Sequence, residues 1–174
     1  MRVAILFGSF LFLLIQGSSQ LFSSSSQIIQ ESYTISIPSL RLSLPLTYAP
    51  IKNGQWVVSN QKTAFIGEGY AEPGKRGVTV IFAHAKNSLF AKLPLLREKQ
   101  TVIIYSDTFT YTYKIQERKI ILPSNVSFLR ENSTTNTLMI FTCFGKDDTY
   151  RILYKATLEE KIKRENVTAA VTSA

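Results

Sequence analysis

The chain has 174 residues, 45% of them hydrophobic and 11% aromatic, which points to one domain with a packed core plus appendages rather than to two domains. Its formal net charge is +8, with Lys and Arg scattered in pairs such as Lys75-Arg76 and Arg118-Lys119; a surface of this kind suits nucleic acid, anionic lipid or an anionic cell wall alike, so charge selects no partner. A single cysteine and a single histidine exclude an intramolecular disulfide and a Cys/His zinc cluster.

Residues 1–22 carry one charge, Arg2, followed by an apolar run over 3–15. The run is short enough for a secretory signal peptide, while the uncharged stretch 3–22 is long enough to span a bilayer as an anchor. Export follows from either, with the domain on the extracytoplasmic face of the cell membrane, anchored through this segment or secreted if the segment is cleaved. Residues 23–32 form a Ser-rich linker.

From Tyr33 the texture changes to short β-type runs bounded by turn residues. Residues 33–37 alternate and stop at Pro38; residues 40–44 alternate and stop at Pro45. Further strands are expected over 63–70, 77–84, 101–105, 109–121, 137–143 and 151–157, with Tyr111, Tyr113 and Ile115 sharing one face. Residues 88–96 suit one short helix. About eight closely spaced strands and no long amphipathic helix predict an all-β fold, a closed or nearly closed barrel over 33–158 with one or two short helices. Residues 159–165 read as a frayed helix, and 159–174 as a flexible C-terminal tail.

The chemistry-bearing residues are the two singletons and one arginine. Cys143 ends the strand 137–143, His84 ends the strand 77–84, and Arg151 opens the next strand across a short turn from Cys143. Reactive groups at strand ends, under loops on a rigid sheet, are placed where sites are commonly built. A thiol with an imidazole partner and a guanidinium is equipped for acyl transfer: nucleophile, proton carrier and stabiliser of an oxyanion. Taken singly, a lone Cys is more often a small buried filler, a lone His a surface or satisfied core residue, and Arg151 one surface arginine among others. Composition and periodicity do not choose between these readings.

The motifs taken in order do. Thr142-Cys143 at a strand end, with Arg151 leading the strand Ile152-Leu153-Tyr154-Lys155-Ala156, resembles the sortase family's Thr-Cys strand and its downstream Arg strand. The segment from Pro73-Gly74 through Gly77 to His84 is similar to that family's Pro-Gly…Gly-Asn-x-x-Ile-x-Gly-His stretch, and Phe90-Ala91-Lys92-Leu93 to its Phe-x-x-Leu. Ile37-Pro38-Ser39-Leu40 and Leu44-Pro45-Leu46 match its early strand pair, so the resemblance runs from Tyr33 to Leu158. There are departures: Met139-Ile140 replaces Thr-Leu in the Cys motif, Ala83 the Gly before the His, and Ala85 the polar residue after it.

The resemblance implies a cysteine transpeptidase of the N-terminally anchored type. Cys143 is then the nucleophile, His84 the general acid/base, Arg151 the group that steadies the oxyanion and positions the substrate, and Thr142 a supporting residue. The implied partners are exported proteins bearing a C-terminal Leu-Pro-x-Thr-Gly-like sorting signal, an amine acceptor of a cell-wall precursor or protein, and the membrane through the N-terminal segment. No cofactor, metal or nucleic acid is expected; Glu131, Asp147 and Asp148 are too few and scattered for a calcium site. The competing readings are a non-enzymatic or degenerate surface-anchored β-barrel binding module, in which Cys143 and His84 lie apart or buried, and an oligonucleotide-binding small barrel.

Overall fold

The computed structural model describes residues 31–130 and 133–165. The segment read as an anchor or signal peptide, and all but the last two residues of the Ser-rich linker, lie outside the described residues. Among those described, no helix is long and apolar enough to cross a membrane.

Ten strands form among the described residues: β1 (Tyr33–Ile37), β2 (Leu42–Ala49), β3 (Ile51–Lys52), β4 (Gln55–Trp56), β5 (Ala64–Gly67), β6 (Gly77–Phe82), β7 (Thr101–Ser106), β8 (Phe109–Ile121), β9 (Asn136–Phe144) and β10 (Tyr150–Lys163). Eight of them close a barrel in the order β1-β2-β5-β6-β9-β10-β8-β7, and β7 pairs with β1 to complete the ring. Closure leaves no free sheet edge in the ring. The pairs β2·β5 and β6·β9 are parallel and the others antiparallel. The fold is therefore the all-β closed barrel that the strand pattern predicts, with only short 3-10 turns between strands.

Alternation explains most of the ring. β1 and β7 bury every second residue, and Ile35, Val102, Ile104, Tyr111, Tyr113 and Ile115 fill the interior. β6 and β9 are different, reading as nearly continuous apolar runs (Val78-Thr79-Val80-Ile81 and Leu138-Met139-Ile140) because both their faces are covered. Their inward residues, Ile81, Leu138 and Ile140, join the barrel core. Their outward residues, Val78, Val80 and Met139, form a second cluster with Leu153, against which Trp56, Tyr70, Phe82, Phe128 and Phe141 pack.

A six-residue 3-10 segment, Phe90–Leu95, plugs the barrel with Phe90 and Leu93, and the buried Tyr154 hydroxyl meets the carbonyls of Leu93 and Leu96, each at 3.0 Å. Several expectations change. β5 covers only Ala64–Gly67 of the expected 63–70, and β6 ends at Phe82, so His84 lies two residues beyond its strand rather than at its end. Pro45 does not stop its strand: β2 runs on to Ala49, with Pro45 opposite Thr34 and its carbonyl accepting from the Thr63 hydroxyl at 2.8 Å. The reading of residues 159–165 as a frayed helix is corrected as well. β10 extends to Lys163, pairing Lys161 with Tyr111 and Lys163 with Phe109 after a bulge at Glu159, and the waiting partner strand overrides the helical propensity of Glu and Lys.

Candidate active site

Register pairs two of the three singled-out residues, and the third lines the groove beside them. β9 and β10 pair Cys143 directly with Arg151, so their side chains are cross-strand neighbours on the outer face. β6 runs parallel to β9 with Phe82 opposite Phe141, and two residues further on each chain come His84 and Cys143. The alternation that sends Val80, Phe82, Met139 and Phe141 outward carries Cys143 outward within β9, while His84 follows two residues after β6 ends at Phe82 and faces the same groove. All three line a single groove of about 600 Å³. Cys143 and His84 are both half-buried as whole residues.

Local bonds hold this arrangement. The buried Thr142 hydroxyl, pointing inward from the residue beside Cys143, donates at 2.7 Å to the carbonyl of Ala83, the residue beside His84. The His84 carbonyl accepts from the Phe90 N–H at 3.1 Å, so the Phe90–Leu95 plug fixes the return of the chain after the histidine. Ala83 stands where the resembled motif has glycine; it is buried and keeps a negative φ, so the alanine strains nothing here. His84 Nε2 is buried with no hydrogen-bond partner among the described residues.

The electrostatics are those of a resting thiol. Burial pushes the Cys143 thiol up from its ordinary value; the Arg151 charge pulls it down, and the Asp148 carboxylate pushes it up again. Arg151 donates through Nη1 to the carbonyls of Asp148 and Tyr150, each at 2.9 Å, which orients the guanidinium and leaves its other N–H groups for an incoming oxygen. The turn that carries these carbonyls is tightly wound, with Gly145, Asp147 and Asp148 all at positive φ. Among the described residues, no three His, Cys, Asp or Glu side chains converge on a metal position.

The groove wall was not legible as such in the sequence. Phe82 stacks on Trp56 at 4.8 Å and on Phe141 at 5.2 Å, and Phe128 meets Phe141 edge-on at 5.5 Å, which makes an aromatic floor leading to the thiol. Trp56 arrives on the β3–β4 hairpin, whose turn is Asn53-Gly54 with both residues at positive φ. That dipeptide is the signal that could have found the hairpin.

Comparison with known proteins bears on the same span. The sortase-domain family model matches residues 35–159. Comparison with curated protein sequences returns no match. Among solved structures, the chain is similar to sortase A from Listeria monocytogenes at TM-score 0.65 and 19% identity, over 77% of this chain and 90% of that one. The SrtA sortase from Actinomyces oris aligns at TM-score 0.66 and 16% identity, over 77% and 82%. Sortase E1 from Streptomyces coelicolor, solved with a tripeptide in its active site, aligns at 0.66 and 16%, over 78% and 91%. With the family model spanning the barrel from its first strand to its last, this chain belongs to the sortase family of cysteine transpeptidases.

Proposed function

We propose that this sortase cleaves a Leu-Pro-x-Thr-Gly-like sorting signal through a thioacyl intermediate on Cys143 and transfers the retained half to an amine. The observation that supports this reading is the register that sets Cys143 opposite Arg151, in an apolar groove that His84 also lines. A groove of about 600 Å³ falls in the ordinary size range of ligand sites. The tripeptide held by the Streptomyces coelicolor neighbour shows what kind of occupant that barrel takes.

In the first step His84 accepts the Cys143 proton and the sulfur attacks the Thr carbonyl carbon, moving the π electrons onto oxygen. The free N–H groups of Arg151 stabilise that oxyanion. Collapse breaks the Thr–Gly C–N bond, and His84 returns its proton to the leaving amine. In the second step an acceptor amine attacks the thioester, gives its proton to His84, and expels the Cys143 sulfur.

Sortases act on the extracytoplasmic cell surface, which suits residues 1–22 as a membrane anchor and a cell-wall precursor or surface protein as the source of the amine. A second reading, a groove that holds peptide without cleaving it, draws on the raised thiol and on the Arg151 bonds to its own turn. The two are separated by incubating the chain with Leu-Pro-x-Thr-Gly and Leu-Pro-x-Thr-Ala peptides plus a free amine. A ligated product supports the transpeptidase; binding with no cleavage on any peptide supports the holder.

A further inference from the structure

The outer face of the barrel carries a second cavity that the acyl-transfer chemistry does not use, and a bulge builds it. Tyr111, Tyr113 and Ile115 point inward at every second position of β8, and an unbroken strand would send Glu117, Lys119 and Ile121 inward after them. β10 pairs Lys155 with Glu117 but Ala156 with Ile115, so Gln116 is left over and the parity of β8 reverses. Glu117, Lys119 and Ile121 therefore stand outside, beside Met139, Leu153 and Lys155.

With Arg130 they bound a cavity of about 440 Å³ that shares Ile121, Asn125 and Phe128 with the groove at Cys143. Among the described residues its charged lining is three cations, Lys119, Arg130 and Lys155, and one anion, Glu117, which pairs with Lys119 at 2.7 Å. Asn125 spends its Oδ1 on the Ser127 N–H and hydroxyl, so its amide N–H groups add donors rather than acceptors.

Resting on the sortase reading above, we propose that this cavity binds a carboxylate carried by the substrate just before its sorting signal. Met139 lies four residues before Cys143 on β9, a distance of about 13 Å at roughly 3.3 Å per residue. An extended peptide acylated at its Thr reaches that level with the residue preceding the Leu, and its next side chains meet the basic lining. The retained half of the substrate is the part that stays on Cys143 through both steps. The leaving half departs before the second step, and the acceptor amine is itself a cation that this lining repels.

The test is kcat/KM of the full chain on peptides that differ only by Glu, Gln or Lys at the one to three positions before the Leu. The expected order is Glu over Gln over Lys, with Glu favoured about three- to tenfold at low salt and the preference collapsing near 1 M salt. The double substitution Lys119→Glu with Arg130→Glu is expected to reverse the order, which damage to the fold does not do. Equal rates for the three peptides, or an order that survives the charge reversal, overturn the carboxylate site and leave the transpeptidase standing. No turnover of any peptide by the wild-type chain overturns both.

Discussion

At the residue scale, the bond from the Thr142 hydroxyl to the Ala83 carbonyl ties the strand of the candidate nucleophile to that of the candidate base. Thr142→Val keeps the shape and leaves a buried carbonyl without its donor, so a loss of about 1–3 kcal/mol is expected in denaturant unfolding, with a fall in turnover as His84 loses its registration. The thiol is tested by its own titration. Burial favours the neutral form, so the midpoint of Cys143 alkylation in the free chain is expected above that of an unstructured thiol, which lies near ~8.5; a midpoint below it would mean a resting thiolate. Cys143, His84 and Arg151 were legible in the sequence as strand-end residues joined by motif order. Their shared groove was not, because it depends on the parallel β6·β9 pairing between chain segments far apart. Asp148 stayed hidden for a related reason: its bearing on the thiol comes from a turn folded through three residues of positive φ.

At the element scale, the strands that alternate were readable, and β1 and β8 carry the bounds their patterns predict. The misses have specific causes. β10 outruns its predicted end because β8 supplies a partner for charged residues that alone favour a helix. The β3–β4 hairpin is only two residues deep on each side, below the length at which alternation shows, and its position matters because it brings Trp56 to the groove. Gly67 makes room for that indole: a Cβ there would come within 2.5 Å of Trp56. Gly67→Ala is expected to push the ring off Phe82, at an overpacking cost of about 1–3 kcal/mol. Since the chain has one tryptophan, the emission spectrum reports the shift directly, and an unchanged spectrum would mean that the hairpin yields instead.

At the scale of the whole molecule, the barrel has two apolar layers, one inside the ring and one outside β6, β9 and β10, and the second is the floor of the site. Stability and site are therefore built from the same strands. Tyr113 connects them to pH. It sits in the inner core, its hydroxyl accepts from the Gly74 N–H at 2.7 Å, and burial pushes its phenol up to about 12. A group held protonated in the fold contributes stability below its ordinary value, and that contribution is lost as pH rises toward the folded value. Unfolding free energy is expected to fall by about 2–3 kcal/mol between pH 10 and 12 on account of Tyr113. Tyr113→Phe is expected to flatten that part of the curve in chemical denaturation, and an unchanged slope would contradict the assignment.

The central claim is that Cys143 carries the acyl group, and intact mass spectrometry of the full chain with the Leu-Pro-x-Thr peptides reads it most directly. A mass increase equal to the retained peptide half is expected, absent from Cys143→Ala and discharged by an added amine. An adduct that persists in Cys143→Ala, or turnover that proceeds without Cys143, would contradict it.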